Sequence, residues 1–288
     1  MAKDSRTRTH SGPEDATNRR PSAATTVGIV VVLALAGLGC VESAFFYHPS
    51  RAPFATPPSF EDVWFTSADG VRLHGWFVAG REIGRGPAVL HTHGNTGSVR
   101  NQAYLIPLLA EAGISGLVFD YRGYGRSDPP PAALNRDDLL ADSRAALAYL
   151  RSRPEVDPGR VGVFGNSLGG VFALALAAED PGIEAVVCSS TFSTWQGVAH
   201  DHVPLLGPIF VAPGLDPADS LRSIRVPILL VHGDTDTVVP FEHLRRLAGV
   251  GAAEHLAMTI EVVPHGGHSN IMLGRVAQRV VRFFVRHL

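Results

Sequence analysis

The sequence predicts an α/β fold: a mostly parallel central sheet with helices packed on both of its faces. Three observations point there. Short strand-type runs alternate with helix-type segments through about the last four-fifths of the chain, the pattern of βαβ units. Those runs are apolar without a polar face, as strands are when helices cover both sides of a sheet. Polar residues with chemical reach gather just after the runs, where open sheets of this kind place their ligands.

The bulk figures bound the function. A chain of 288 residues, 45% hydrophobic and 18% charged, has length and apolar content for a full core and is not a disordered chain. A net charge of -2 gives no basic footprint, which sets nucleic acid aside as a partner. The only cysteines are Cys40, in an apolar run, and Cys188, in a strand-type run. No disulfide between them is expected, and no CxxC or Cys/His metal framework exists.

Residues 1–20 form a polar tail carrying Lys3, Arg6, Arg8, Arg19 and Arg20. Pro21 to Val41 then run for 21 residues without a charge. As a helix that is ~31 Å, the thickness of a bilayer's hydrocarbon core. Basic residues precede the run and only Arg51 follows in the next twenty positions, so the positive-inside rule puts the N-terminus in the cytoplasm and the rest outside it. A buried core helix would rarely be apolar all round, and a cleaved signal peptide has a shorter apolar stretch. "GLGC" lacks the leucine a lipid-attachment box carries three residues before its cysteine. A single-pass signal anchor over residues 21–41 is the reading. Residues 42–59, rich in proline from His48 onward, are expected to be a linker to a domain over 60–288.

The domain opens on a hairpin, "DVWFTSADGVRLHGWFV", turning at Asp69-Gly70. "PAVLHTHG" is a strand, followed by helical periodicity from Asn101 to Ala112. "SGLVFDY" is a strand, and "RDDLLADSRAALAYLRS" a helix with apolar residues every three or four positions. "RVGVFG" is a strand leading into the helix "LGGVFALALAAE". "EAVVCSS", "VPILLVHG" and "MTIEVVPHG" complete the sheet, and "IMLGRVAQRVVRFFVRHL" closes the chain as an amphipathic helix.

Between strand and helix stands "GNSLG", Gly165 to Gly169, a match to G-x-S-x-G. A serine on so tight a turn is strained, and side chains at the flanking positions would strike neighbouring backbone. An N-cap serine is the bland alternative for Ser167. A serine hydroxyl is a weak nucleophile and needs a base and a group to orient that base. Later strand ends supply candidates in the order acid, then histidine: Asp234 and Asp236, then His265 and His268. In "HTHGN", His93-Gly94 leaves the backbone free for the next N–H to face an oxyanion, with the Leu168 N–H as second donor.

These blocks, with "FDYRGYGRSD" from Phe119, make residues 60–288 resemble the alpha/beta-hydrolase superfamily, most nearly its membrane-anchored serine hydrolases with a small cap. The resemblance implies Asp236 as the acid, in D-x-V-x-P, with Asp234 as second choice. It implies His268 rather than His265 as the base and Asn95 as the oxyanion residue. It also places a cap at about 192–224, an apolar stretch read as a lid over an acyl pocket with Phe192 and Trp195 against the substrate; ordinary loop packing is the alternative.

Other polar residues receive plainer readings. Asp234 shapes its loop, His265 is a turn residue, and Arg122 and Arg126 anchor theirs. His91 and His93 bracket one residue, so strand alternation would put both on one face, but no acid or cysteine accompanies them as a metal site requires. His200 and His202 are solvated or line the cap.

The expectation is therefore a membrane-anchored serine hydrolase acting on carboxylic esters or thioesters of acyl substrates, with no cofactor and no metal. Ser167, His268 and Asp236 would form the triad, and Asn95 and Leu168 the oxyanion hole. A serine peptidase or amidase is the alternative, and a silent membrane-tethered binding protein on the same fold is a second.

Overall fold

A computed structural model describes residues 42–81 and 84–288. The basic tail and the expected anchor over 21–41 lie outside the described residues. Among the described residues no helix is long and apolar enough to cross a membrane.

In chain order, a helical stretch α1 (residues 42–46) leads to β1 (His48–Pro49), β2 (Glu61–Thr66), β3 (Arg72–Val78), β4 (Gly86–Thr92) and β5 (Thr96–Gly97). Then come α2 (Val99–Gln102), α3 (Ile106–Glu111), β6 (Ser115–Asp120), α4 (Arg136–Ser152), β7 (Val156–Asn166), α5 (Leu168–Glu179) and β8 (Ile183–Ser189). The chain ends with α6 (Trp195–His202), α7 (Pro217–Ser223), β9 (Ile228–Gly233), α8 (Glu242–Ala253), β10 (Met258–Val263) and α9 (Gly274–His287).

Eight strands form the main sheet in the order β10-β9-β8-β7-β4-β6-β3-β2. Every pairing from β10 to β6 is parallel, and only β3 runs against its neighbours. The central strand β4 is buried at all seven positions. Its Ala88 and Leu90 join the core shared with α4, α5 and α7, while Val89 joins the one shared with α3 and α9. That two-sided burial is why the central strands lack a polar face.

Local chemistry sets the helix boundaries. The Asn135 side chain accepts the Asp138 N–H at 2.9 Å, capping α4, and Asp137 and Asp138 in its first turn complement the helix dipole. On α9 the buried residues Val276, Ala277, Val280 and Phe284 form one stripe. Gly162 on β7 makes room for it, because a Cβ there would sit 2.7 Å from the Phe284 ring. Arg122 behaves as the expected anchor: it is buried, pairs with Asp142 at 2.7 Å, and reaches the hairpin turn through Asp69 at 2.6 Å. Arg126 pairs with Asp62 at 2.5 Å and donates to the Phe54 carbonyl at 2.8 Å.

The stretch 42–59 is not the free linker the prolines suggested. Glu42 is buried and accepts from the guanidinium of Arg136 on α4 at 3.0 and 2.5 Å. Phe46 and Tyr47 belong to the main core, and β1 pairs in parallel with β5. The aromatic run Phe45-Phe46-Tyr47 supplies the apolar area that seats the segment, and the prolines follow it.

Candidate active site

Ser167 sits between the end of β7 and the start of α5 with φ 52° and ψ -119°, a left-handed conformation that a non-glycine residue adopts only under constraint. The constraint is visible around it. The Ser167 N–H donates to the Ser189 carbonyl at 2.7 Å, and Thr191 Oγ1 donates to the Ser167 carbonyl at 2.9 Å. A Cβ on Gly165 would lie 2.5 Å from the Gly169 carbonyl, and one on Gly169 would collide with the carbonyl of Thr92. The flanking glycines let β7, β4 and α5 close on the serine.

His268, in the loop after β10, lies beside it. The Ser167 hydroxyl donates to His268 Nε2 at 2.9 Å, and His268 Nδ1–H donates to Asp236 Oδ2 at 2.8 Å. Asp236, in the loop after β9, accepts the Val238 and Val239 N–H groups through Oδ1 at 2.9 and 2.8 Å. Burial alone would raise the Asp236 carboxyl, but the hydrogen bond and charge interaction with His268, with those two N–H donors, outweigh it and hold the group below the usual carboxylate range. His232, at the end of β9, lies 3.5 Å from the same carboxylate and bonds the Val239 carbonyl at 2.8 Å. Burial lowers the His232 pKa, which favours a neutral ring behind the acid loop.

Asn95 and Leu168 line the same cavity as Ser167. Leu168 is the first residue of α5, so its N–H has no acceptor within the helix. The backbone leading to Asn95 is fixed from both sides. His93 Nδ1–H donates to the Gly94 carbonyl at 2.7 Å, orienting the peptide plane whose N–H belongs to Asn95. The Asn95 carbonyl in turn accepts from the His48 N–H at 2.9 Å and the Tyr124 hydroxyl at 3.0 Å.

The cavity has a volume of about 390 Å³. Its walls are apolar: Phe45 and Phe46 of α1, Phe192, Val198, Val238 and Val239. Phe192 lines this cavity, as does His202, which also bonds the Val238 carbonyl at 2.8 Å. Trp195 is corrected. It is fully buried one layer behind the wall, edge-on to Phe46 at 4.9 Å and Phe192 at 5.0 Å. Its indole N–H goes to the Leu215 carbonyl at 3.0 Å, and the Arg136 guanidinium stacks on its ring at 4.1 Å. The wall residues Phe45, Phe46 and His48 escaped sequence reasoning because they fell in the expected linker.

The cap region holds α6, a short turn of 3-10 helix and α7. Thr194 caps α6 by accepting the Gly197 N–H at 3.1 Å. Beyond α6 the tip exposes Leu205, Leu206, Ile209 and Phe210.

Asp234 and His265 take no part in the hydrogen-bond chain from Ser167. The Asp234 carboxylate accepts the His265 N–H at 2.6 Å, closing a turn in which His265 has φ 57°. His91 and His93 do not share a face, because β4 ends at Thr92 and the alternation ends with it. His91 packs on Phe164 at 4.6 Å, whereas His93 packs on Tyr121 at 4.5 Å in the opposite core. Among the described residues no cluster of His, Cys, Asp or Glu is placed to hold a metal ion.

Comparison with known proteins agrees with this fold. Residues 87–212 match the family model of the alpha/beta hydrolase fold. The uncharacterized protein YfhR of Salmonella typhi is 32% identical over 251 residues, 82% of this chain and 83% of that protein. A Pyrococcus furiosus esterase is similar in structure with a TM-score of 0.69 at 21% identity, over 84% of this chain and 98% of that one. An acylaminoacyl peptidase of Pyrococcus horikoshii has a TM-score of 0.65 at 20% identity, over 80% of this chain and 42% of that one.

Proposed function

The chain belongs to the alpha/beta hydrolase superfamily, and on that premise we propose that it is a serine hydrolase cleaving carboxylic esters or thioesters of apolar acyl groups. The observation that carries the reading is the unbroken Ser167–His268–Asp236 chain of hydrogen bonds, with Ser167 lining an apolar cavity. Ser167 Oγ attacks the acyl carbonyl carbon as its proton passes to His268 Nε2. Asp236 holds the imidazole in the tautomer that can accept it and stabilises the imidazolium. The Asn95 and Leu168 N–H groups donate to the oxyanion, a pair that supplies a few kcal/mol of transition-state stabilisation. The bond to the leaving oxygen or sulfur breaks, and that atom takes the proton back from His268. Water then attacks the acyl-enzyme through the same base, releasing the acid and restoring Ser167.

Among the described residues no carboxylate lines the cavity to receive a peptide's amino group, which favours esters over aminoacyl amides. p-Nitrophenyl esters of increasing acyl length, assayed beside aminoacyl anilides, test the assignment. Ester turnover that disappears in Ser167→Ala is the expected result, and turnover of anilides alone would overturn the ester reading.

We also propose that the domain is held at a membrane by residues 21–41, with the N-terminus cytoplasmic. The charge asymmetry around that run supports it, as do the exposed apolar side chains at the cap tip. A reporter active only in the cytoplasm, fused to the C-terminus, should stay dark; a bright fusion would contradict the orientation.

A further inference from the structure

Two cavities flank the Ser167–His268 pair, and they divide the machinery between them. Ser167 and both oxyanion donors line the apolar cavity of about 390 Å³. His268 instead lines a second cavity of about 140 Å³, with Asn101, Gln102, Tyr104, Asn166, Ser189 and Ser269 around it. Among the described residues, Asp, Glu, Lys and Arg are missing from that lining.

The division matters because the two ends of an ester part company at this pair. The acyl carbon stays bonded to Ser167 Oγ, on the apolar side. The leaving oxygen receives its proton from His268, on the polar side. Resting on the ester-hydrolase reading above, we propose that the second cavity is the leaving-group subsite and takes a small, neutral, hydroxyl-bearing alcohol, making the substrate class a fatty-acyl ester of a glycerol-sized polyol.

The lining fits that chemistry. Amide and hydroxyl side chains both donate and accept hydrogen bonds, as a polyol does. Ser189 belongs to that lining, and its buried Oγ has no hydrogen-bond partner among the described residues. A phosphate or quaternary ammonium in the same place would lose water and meet no opposite charge. The size limit excludes a long second chain on the alcohol side and directs apolar length to the larger cavity.

The full-length protein in detergent micelles provides the test, with octanoyl esters that share one acyl chain and differ in the alcohol: ethanol, glycerol, choline and glycerol phosphate. The glycerol ester should exceed the ethyl ester in kcat/KM by about tenfold or more, with both charged esters below it, because an analogue lacking the hydroxyls leaves polar groups of the site unpaired. Asn101→Leu/Gln102→Leu, at positions outside the reacting groups, should erase the glycerol preference while ethyl octanoate turnover stays within about twofold, a change below 0.5 kcal/mol. A measurement without variants checks the same site. With p-nitrophenyl octanoate as acyl donor, glycerol should capture the acyl-enzyme as octanoylglycerol in preference to equimolar ethanol. Equal kcat/KM across the alcohols, or a glycerol preference that survives the double substitution, would overturn the subsite. Absence of any Ser167-dependent ester turnover would overturn the ester reading itself, and the subsite with it.

Discussion

Replacing Glu42 by alanine tests whether the segment before the domain is part of the cavity or a tether. The Glu42 and Arg136 side chains are only 8% and 7% exposed, and they meet through two charge-assisted hydrogen bonds of 3.0 and 2.5 Å. Tyr47 adds a third bond to the same carboxylate at 3.2 Å. Alanine leaves a buried guanidinium with the Gly214 carbonyl at 2.7 Å and the Trp195 ring at 4.1 Å as its remaining partners. Removing one member of a buried pair costs about 3–5 kcal/mol, and the two surviving partners put this case at the lower end. At 2–4 °C per kcal/mol for a domain of this size, Tm should fall by about 6–12 °C. Circular dichroism melts of the full-length protein in one detergent measure it. Adding Arg136→Met to Glu42→Ala removes the orphaned charge and should recover part of the loss. Since Phe45 and Phe46 wall the cavity, KM for octanoyl esters should rise more than KM for acetyl esters. A Tm loss under about 2 °C with unchanged KM would mean that α1 and β1 are loosely attached, and the reasoning would fail.

Asp236→Asn should lower kcat on p-nitrophenyl butyrate by about three to four orders of magnitude, because an amide presents the wrong partner to His268 Nδ1–H. The carboxyl of Asp236 is held low in the folded state, so its contribution to stability is present above the unfolded value near 3.9 and is lost as pH falls through the folded one. Urea unfolding of wild type and Asp236→Asn should therefore converge as pH is lowered toward 3. His93→Phe keeps the aromatic contact with Tyr121 but frees the Gly94 carbonyl; kcat should fall about tenfold or more with KM little changed, read from steady-state kinetics. His91 is fully buried with neither ring nitrogen paired, and burial pushes its pKa well below 6.5. The unfolded chain takes up a proton there that the folded one refuses, so stability drops as pH falls below about 6.5. His91→Phe should raise stability by about 1 kcal/mol and flatten that slope in urea titrations between pH 7 and 5.

Much of this was legible in the residues themselves. Strand and helix periods located the sheet, and α4 and α5 begin and end where their apolar spacing does. Asp69-Gly70 marked the hairpin because its turn requires a positive φ, which Gly70 adopts at 90°. Ser167 and the pairs Asp234/Asp236 and His265/His268 could be named because a parallel sheet delivers the ends of all its strands to one edge, whereas the choice of Asp236 and His268 within those pairs came from the family resemblance. What stayed hidden depends on contacts between distant parts of the chain. Trp195 and Phe192 are alike in hydropathy, and only the position of Arg136 and Leu215 decides which faces the cavity. The seating of Phe46 requires a partner surface on α6 that no local pattern records. Helix α8 went unread because Gly249 and Gly251 interrupt its apolar spacing. The opposite placement of His91 and His93 turns on where β4 stops, and strand boundaries are poorly marked in sequence.

The most direct test of the central claim is active-site labelling of the full-length protein with a fluorophosphonate, which reacts with serines activated by a hydrogen-bonded base. The account expects one adduct, located by peptide mass spectrometry on Ser167, formed quickly in wild type, about a thousandfold more slowly in His268→Ala, and not at all in Ser167→Ala. Labelling at another serine, or equal labelling of wild type and His268→Ala, would contradict it.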